Sequence, residues 1–436
     1  MDPDGMSSTD AANDRAWRRE PVHYFVMADS GKPIYVRHGD ESDLTSLLSL
    51  LQVLVAHFDQ ASAAGTGSNA LRWIRLPPPA GHQLVLHVRR PLILVAAARR
   101  RERCESQLRG QLAALHSFLL SQLTQAQLAG LFARRPNLDL RPLLGAAHPQ
   151  IGALCDSFRV DLRYLIGCVE SVPMAARVRR RFGDALAVAA GAATETRSRL
   201  LYGMVLAHGQ LVTLIRPKSH SLHPSDLLNL LTLVGSNTQF RGMVGSEHWL
   251  PMCLPKFNDQ GFLYAYVCYV TPDLGIVLMS SDADAFEEMQ AARARMHEYM
   301  LKNGLILDAK LLEEPLNAAA LMDEPNLKHF VYKSDAHVQF IQVGAGDDTP
   351  PPATIAAKYG RLHAALHDRE SPLKLLWCES DADGESVLGW NSRGCEVYAT
   401  WTAGVARSTA IRNVNAIVKW VKAREEDLFI LDSPTL

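Results

Sequence analysis

The opening part of the chain carries two kinds of apolar pattern, one typical of a hairpin and one typical of a helix. Val22 to Met27 and Ile34 to Val36 are apolar and aromatic runs, and turn-forming residues from Ala28 to Pro33 separate them. Asp40 or Ser42 can then cap a helix. Its apolar positions follow helical spacing: Leu44, Leu47, Leu48, Leu51, Val55 and Phe58. The pattern predicts the order strand, strand, helix.

Three further strands and a second helix follow this opening. The strands are predicted at Leu71 to Leu76, Gln83 to Val88 and Leu92 to Ala98, where proline and glycine separate short apolar runs. A long amphipathic helix is predicted from about Glu102 to Leu123. Five strands with one helix after the second strand and another after the fifth form a longin-type arrangement.

The same order recurs twice more along the chain. The second pass has predicted strands at Leu200 to Leu206, Gln210 to Ile215, Phe262 to Val270 and Gly275 to Ser281, and helices at Pro224 to Val234 and Asp284 to Lys302. The third has strands at Phe330 to Lys333, Val338 to Gln342, Leu373 to Cys378, Val387 to Trp390 and Glu396 to Thr400, and helices at Pro352 to Asp368 and Ser408 to Glu425. We therefore predict the fold class α/β (α+β), with three longin-type modules, each a five-stranded, mainly antiparallel sheet flanked by helices.

These patterns divide the chain into six segments. We predict a disordered tail (1–20), a first longin domain (21–172), a connecting helix (173–196), a second longin domain (197–312), a linker (313–326) and a third longin domain (327–436). The tail is polar and rich in small residues, so it resembles neither a secretory signal nor a transit peptide. Pro173 can open the connecting helix, since proline is tolerated in a first turn.

The overall charge excludes some classes of partner. The 45 basic residues are balanced by 46 acidic ones, so no global field attracts nucleic acid. The most apolar stretch, Leu47 to Phe58, is shorter than the roughly 20 residues that span a bilayer, so any membrane contact is expected to be peripheral. The seven cysteines form an odd, scattered set without a Cys-x-x-Cys pair, which indicates a reducing cytosol.

The common catalytic motifs do not occur in this sequence at the spacing that each requires. The pair Gly31-Lys32 is followed by Pro33 and lacks the upstream glycine of a phosphate-binding loop. The sequence also has no Gly-x-Ser-x-Gly elbow and no His-Glu-x-x-His helix. We therefore expect no catalytic residue, cofactor or metal requirement for covalent chemistry.

Three clusters have metal-ligand residue types, each with a simpler explanation. His363 and His367 lie one helical turn apart but have no identifiable third ligand, so surface or core histidines are the alternative. His220, His223 and Asp226 can equally form a loop and helix cap. The Asp381 to Gly384 segment resembles part of a calcium loop, but it lacks the terminal glutamate, and a hairpin turn is the alternative.

Local basic clusters and one aromatic segment are candidate contacts for membranes or partners. The basic candidates are Arg99, Arg100, Arg101, Arg103, Arg177, Arg179, Arg180 and Arg181. They can approach anionic lipid or an acidic partner, or simply form a solvated face. An exposed apolar loop from Trp249 to Pro251 would suit membrane or partner binding, with core packing of the aromatic residues as the alternative.

Several blocks of the sequence resemble one known family. The stretch from His23 to Gly39 contains Gly31-Lys32-Pro33-Ile34-Tyr35, the most recognisable element of the family's opening hairpin. Further matches are Asn137 to Arg141, Trp249 to Asn258, and Lys419 to Lys422. From about His23 to Leu431 the chain resembles the SAND or Mon family of vacuolar and endosomal fusion proteins.

This resemblance implies a function that needs no covalent active site. It implies a trilongin subunit that pairs with a Ccz-type trilongin subunit and promotes GDP release from a late-endosomal Rab GTPase, downstream of an early-endosomal Rab. It places Rab binding on the first module, where we expect Ile34 and Tyr35 as apolar anchors and Arg37 and Asp43 as charged contacts. An alternative for Ile34 and Tyr35 is packing within the sheet.

The resemblance also implies a cytoplasmic protein bound peripherally to endosomal and vacuolar or lysosomal membranes, with anionic or phosphoinositide lipid and no nucleic acid among its contacts. A noncatalytic longin scaffold or adaptor is an alternative, since it would bind a Rab without preferring the nucleotide-free state. A small-molecule enzyme would require a deep pocket with converging titratable groups.

Overall fold

The computed structural model describes residues 20–39, 41–63, 70–77, 81–99, 103–191, 199–306, 316–368, 370–379 and 384–436. The predicted tail lies outside these residues except for Glu20, and so do Arg100 and Arg101. Contacts between residues divide the chain into two compact units, Met1–Arg159 and Val160–Leu436. The first unit contains the first longin module, and the second unit contains the other two.

The first module is a five-stranded sheet with helices on both faces. Its strands are β1 (Val22–Ala28), β2 (Pro33–Val36), β3 (Trp73–Arg75), β4 (His82–Arg89) and β5 (Leu92–Arg99). Its helices are α1 (Glu41–Ala63), α2 (Glu105–Gln122), α3 (Gln125–Arg134), α4 (Arg141–Leu144) and α5 (His148–Ser157). The strand order is β2-β1-β5-β4-β3, and neighbouring strands are antiparallel.

Alternation along β1 explains why both faces of this sheet are covered. Phe25 and Met27 point to one face and share a core with Leu48, Leu51 and Val55 of α1. The alternate residues of β1 point to the opposite face of the sheet, toward the other helices. Every residue of β1 is therefore buried. The strand is therefore apolar on both faces, as the run from Val22 to Met27 requires.

The second unit begins with α6 (Arg163–Ile166), β6 (Val169–Glu170) and α7 (Ala176–Ala190). The second module continues with β7 (Leu200–Ala207), β8 (Gln210–Ile215), α8 (Pro224–Ser236), α9 (Thr238–Gly242), β9 (Glu247–Leu254), β10 (Asn258–Thr271), β11 (Leu274–Ser280) and α10 (Phe286–Lys302). The third module comprises α11 (Ala318–Met322), β12 (Leu327–Ser334), β13 (Gln339–Gly344), α12 (Pro352–Leu366), β14 (Leu375–Cys378), β15 (Glu385–Ser392), β16 (Cys395–Thr402), α13 (Arg407–Lys422) and α14 (Glu425–Leu428).

A short strand joins the second and third modules. The second sheet has the order β8-β7-β11-β10-β9, and the third has the order β14-β15-β16-β12-β13-β6. Strand β6 pairs in parallel with β13, and the adjoining Ser171 forms a parallel bridge to Leu211 of β8. Backbone pairing therefore connects both sheet edges through one segment, which gives the third sheet a sixth strand that the sequence pattern did not predict.

The predicted connecting helix is part of the second module's core. Helix α7 begins after Ala175 rather than at Pro173, and Phe182, Leu186 and Ala189 are buried with residues of β7, β11 and α10. Residues 160–172 also belong to the second unit. The structure thus differs from the predicted end of the first domain at 172, because α6, β6 and α7 contact the later modules.

Strand β9 is the element missing from the predicted second sheet. Pro251 lies within it, and proline inside an apolar run argues against a central strand because it lacks a backbone N–H. In the structure β9 is an edge strand, so Pro251 needs only one bonded neighbour. The edge position explains why β9 can contain Pro251. The proline explains why the sequence pattern did not predict a strand there.

Candidate interaction surface of the first module

Strand β2 carries two of the four predicted Rab-binding residues, Ile34 and Tyr35, and both are buried. Ile34 and Tyr35 are only 4% and 2% exposed. The Tyr35 ring lies 5.0 Å from the His148 ring of α5. Burial raises the pKa of the Tyr35 hydroxyl well above its usual value. In this conformation neither side chain is available to a partner as an anchor. The burial agrees with the alternative stated for Ile34 and Tyr35, which is packing within the sheet.

Arg37 lies at the surface end of β2 and is paired within the module. Its Nη2 lies 2.7 Å from each carboxylate oxygen of Asp156, and its Nε lies 3.0 Å from Oδ1. Such a fork-shaped contact fixes the orientation of the guanidinium. The Arg37 side chain is 27% exposed and that of Asp156 is 58% exposed, so the pair is reachable from solvent. Asp43 lies in α1, but its side chain is outside the described residues.

A charged contact joins the turn between β1 and β2 to the segment that precedes α4. Asp139 accepts hydrogen bonds from the backbone and guanidinium of Arg141, and Lys32 Nζ lies 3.4 Å from Asp139 Oδ2. The Arg141 hydrogen bonds hold the pKa of Asp139 well below its usual value. Gly31 adopts a positive φ of 83°, which favours glycine, and lies against Gln52 of α1.

A small pocket opens beside β2. Its volume is about 130 Å³. It is lined by Ile34, Tyr35, Arg141, Leu144, His148 and Ile151. This lining is mostly apolar with two basic groups at its margin, so the pocket can receive one apolar or acidic-tipped side chain. It is too small for the drug-sized ligands that enzyme clefts of several hundred Å³ enclose.

Helix α1 has apolar residues on both of its sides. Leu48, Leu51 and Val55 fill the core, whereas Leu50 and Val53 are 56% and 59% exposed and Phe58 is 37% exposed. We call Leu50, Val53 and Phe58 the α1 surface. An amphipathic helix on the outside of a protein normally turns polar residues to solvent. The α1 surface is therefore a candidate docking face.

Sequence reasoning missed Leu50 and Val53 because it counted a single apolar stripe. That stripe included Leu48, Leu51 and Val55, which are buried, and also Phe58, which is exposed. Leu50 and Val53 form a second stripe, three residues apart, on the outer side. Recognising that α1 is apolar on both sides would have identified the surface.

The predicted basic clusters separate into buried and exposed residues. Arg103 and Arg179 are buried, so neither side chain is available to lipid. Arg179 donates to the carbonyl oxygens of Val212 (2.8 Å) and Val172 (2.7 Å) and thus has a structural role. Arg181 is half-buried and contacts the Asn303 carbonyl. The exposed members are Arg99, Arg177 and Arg180.

The predicted apolar loop around Trp249 is part of β9. Trp249 stacks on Tyr264 with 5.7 Å between ring centroids, and its Nε1 donates to the Ala283 carbonyl at 3.1 Å. Its ring packs against the core of the second module. The expected loop is therefore a strand, in which one side of the half-buried Trp249 ring packs on the sheet.

Local hydrogen bonds account for one of the three metal candidates, the cluster of His220, His223 and Asp226. His223 caps α8 by accepting from Ser225 N, and the carboxylate of Asp226 accepts from the backbone amides of Lys256 and Phe257. The cap explanation is confirmed for His223.

Residues 380–383 of the proposed calcium segment lie outside the described residues. His363 and His367 do have a third neighbour, Glu396, which the sequence could not identify.

Comparison with known proteins decides the family. Models of the first, second and third longin domains of FUZ, MON1 and HPS1 match residues 22–154, 198–298 and 326–425. Over 423 residues the chain is 33% identical to vacuolar fusion protein MON1 homolog A of Bos taurus, covering 95% of this chain and 72% of that protein. The chain belongs to the MON1/SAND family.

Relatives in distant organisms show the same extent of similarity. The chain is 33% identical over 421 residues to vacuolar fusion protein MON1 of Yarrowia lipolytica, covering 94% of this chain and 74% of that protein. It is 29% identical over 444 residues to protein SAND of Takifugu rubripes, covering 100% of this chain and 81% of that protein. In the human MON1 homolog A the covered share of the relative falls to 62%.

Membership in the MON1/SAND family confirms the predicted recognition and the fold of three longin domains. The family models begin and end within a few residues of the three sheets and their helices. Among the described residues, no helix combines the length and apolarity needed to cross a bilayer.

Proposed function

We propose that this chain is one subunit of a heterodimeric guanine nucleotide exchange factor. Its partner is a Ccz-type trilongin subunit, and its substrate is a late-endosomal or vacuolar Rab GTPase. The observation that carries the proposal is the α1 surface, with Leu50 and Val53 more than half exposed on a helix of the first longin module. Burying apolar side chains of this size contributes about 1 to 2 kcal/mol each, so the surface favours a protein partner.

The cellular role follows from the family. Relatives over nearly the whole chain bear the name vacuolar fusion protein. This supports a role in vacuolar fusion and membrane traffic, and we propose the conversion of early to late endosomes and fusion with the vacuole or lysosome as the process. An early-endosomal Rab acts upstream as a recruiting partner.

Exchange of this kind is noncovalent. The factor stabilises the nucleotide-free GTPase relative to the nucleotide-bound form, so it needs no nucleophile. A nucleotide held at picomolar affinity corresponds to about 16 kcal/mol, whereas a thousandfold faster release requires lowering the barrier by about 4 kcal/mol. Displacing a switch segment from magnesium and the phosphates is a change of that size.

Within the first module, we assign the apolar part and the charged part of the partner contact to different residues. The α1 surface supplies apolar area, and accessible Arg37, together with Asp43, supplies charge. Ile34 and Tyr35 act indirectly, because they line the pocket beside β2 and support its walls. This assignment replaces the expected apolar anchors with Leu50 and Val53, which are more than half exposed.

Membrane contact is proposed to be peripheral and electrostatic. Besides Arg99, Arg177 and Arg180, helix α13 has four basic residues, Arg407, Arg412, Lys419 and Lys422, and no acidic residue. All four are exposed. Each basic residue near an anionic membrane contributes about 1 kcal/mol. Binding to vesicles containing phosphatidylserine or phosphoinositide should therefore weaken as salt is raised.

The test is release of a fluorescent GDP analogue from late-endosomal Rab GTPases. The reaction is followed with this chain alone, with the Ccz-type partner alone, and with the pair. Acceleration of about a hundredfold or more by the pair supports the proposal. A stable pair that binds a Rab but accelerates release from none of those tested would reject exchange and favour a longin adaptor.

A further inference from the structure

The third module contains a group of nitrogen and oxygen atoms with the composition of a metal site. His363 lies on α12 and His367 immediately follows it, one turn further on, with 4.3 Å between the ring centroids. Glu396 projects from β16, and its Oε2 lies 3.0 Å from His367 Nε2. One potential ligand atom from each of the three residues lies within 4.8 Å of the others.

The carboxylate of this group is oriented by other side chains. Glu396 is only 3% exposed. Its Oε1 accepts a hydrogen bond from Lys333 Nζ at 2.6 Å, and its Oε2 accepts one from Tyr398 Oη at 2.8 Å. With Lys333 on one oxygen, the other oxygen is held toward the imidazoles. Hydrogen bonds of this kind fix the direction of carboxylates that bind metals.

The surroundings of the imidazoles also fit coordination. His363 and His367 are both partly buried, so their rings are held by packing while remaining reachable. His367 is about one-third exposed, so solvent reaches one side of the group.

We propose that His363, His367 and Glu396 bind a divalent transition-metal cation of the zinc class. Two imidazoles and one carboxylate favour zinc over magnesium or calcium, which prefer oxygen ligands. The fourth position of the tetrahedron belongs to solvent on the side of His367. For zinc to bind His367 Nε2 in place of its hydrogen bond to Glu396, the neutral ring carries its hydrogen on Nδ1, so that the Nε2 lone pair faces the ion.

Small side-chain movements complete this geometry. Bonds of about 2.0 to 2.1 Å in a tetrahedron place ligand atoms about 3.3 Å apart. The distance between His367 Nε2 and Glu396 Oε2 must therefore increase slightly from 3.0 Å. The His363 nitrogen must move closer to these two atoms, since the three ligand atoms now lie up to 4.8 Å apart. Once bound, the ion links the end of α12 to β16, which stabilises the third module.

The test uses the full chain and zinc chloride as the only probe. Metal-free protein competes with a chromophoric zinc chelator at neutral pH. We expect one zinc per chain with a submicromolar dissociation constant, and a loss of affinity of about tenfold or more in His363→Gln and in His367→Gln. His337→Gln is the matched control, because His337 pairs with Glu425 elsewhere in the same module, and it should bind zinc as the unmodified chain does.

A second measurement on the unmodified chain keeps the test independent of variant folding. X-ray absorption at the zinc edge should show nitrogen and oxygen ligands, including two imidazoles. A sulfur-dominated spectrum would overturn the proposal, because it would assign the ion to cysteines such as Cys104 or Cys378. Binding no tighter than millimolar, or equal affinity in folded His363→Gln and His367→Gln variants, would overturn it as well.

Discussion

Arg179 of α7 donates a hydrogen bond to the backbone carbonyl of Asp427, 248 positions later in the chain, with 3.0 Å between Nη2 and the oxygen. The same guanidinium binds the carbonyls of Val172 and Val212. Burial lowers the pKa of Arg179 to about 10, so it remains charged at neutral pH. One buried cation therefore connects the segment before α7, strand β8 of the second module and helix α14 of the third module.

Replacing this cation should destabilise the second unit. Arg179→Met keeps apolar volume but removes the guanidinium donor from three carbonyl oxygens, of which the Asp427 oxygen still accepts from Met174 N at 2.9 Å. We expect a loss of about 2 to 3 kcal/mol in unfolding free energy. Arg180→Met is the control, because Arg180 is exposed and its contact to Glu426 is 3.6 Å, so its effect should stay below about 1 kcal/mol. Calorimetry measures the unfolding transition of each variant. Equal transitions in Arg179→Met and Arg180→Met would contradict the structural role of Arg179.

The packing of α7 on the second sheet makes a separate prediction. A Cβ added at Gly203 would lie 2.9 Å from Ile215 Cγ2 and 3.2 Å from Leu186 Cδ2, so Gly203→Ala should cost about 1 to 3 kcal/mol. Gly235→Ala in α8 has open space and should be neutral or stabilising by up to about 1 kcal/mol. Thermal unfolding distinguishes the two. A neutral Gly203→Ala would mean that α7 is a free connector.

A buried histidine should make the third module sensitive to acid. Burial lowers the pKa of His329 to about 4 from about 6.5, and its Nδ1 lies 2.9 Å from Tyr359 Oη. The unfolded chain therefore binds more protons than the folded chain between these two pH values, and stability falls as pH is lowered through that window. We expect a loss of about 2 kcal/mol from pH 7 to pH 5 from this residue.

The variant His329→Asn, which retains a polar group near Tyr359, tests this assignment. Its unfolding free energy should depend less steeply on pH between 7 and 5 than that of the unmodified chain. Denaturant titrations at both pH values measure the difference. An identical slope in the two proteins would assign the acid sensitivity to other histidines.

Exchanging the charges of Arg37 and Asp156 separates a structural role from partner binding. Each single reversal, Arg37→Glu or Asp156→Arg, brings like charges together, and the cost should be about 1 kcal/mol because the pair is partly exposed. The double variant should recover stability. If Arg37 contacts the GTPase, exchange by the complex stays low although folding is restored; recovery of both would limit Arg37 to holding α5 against β2.

The sequence predicted the sheets well where a single segment carries its own pattern. Val22–Ala28, Pro33–Val36 and Leu92–Arg99 lie within a few residues of their predicted positions. It did not predict β6, because two paired residues have no period and pairing depends on β13, far along the chain. The attachment of α7 was missed for the same reason, since Arg179 resembles its neighbours in an arginine run.

The partner-binding residues show the limit of sequence patterns more directly. Alternation identified β2 but did not tell which face of the sheet lacks a cover, and Tyr35 is buried beneath α5. The exposed stripe of α1 depends on where the helix lands on the sheet. Leu50 and Leu51 are chemically identical neighbours, yet one is exposed and the other fills the core.

The most direct measurement compares Leu50→Glu and Leu301→Glu in the exchange assay with the Ccz-type partner. The two leucines are 56% and 58% exposed and both lie on helices, but Leu301 is on α10 of the second module. The account predicts that Leu50→Glu lowers the exchange rate by about tenfold or more while Leu301→Glu leaves it unchanged, both chains remaining folded. Full exchange activity in folded Leu50→Glu would contradict the assignment of function to the α1 surface.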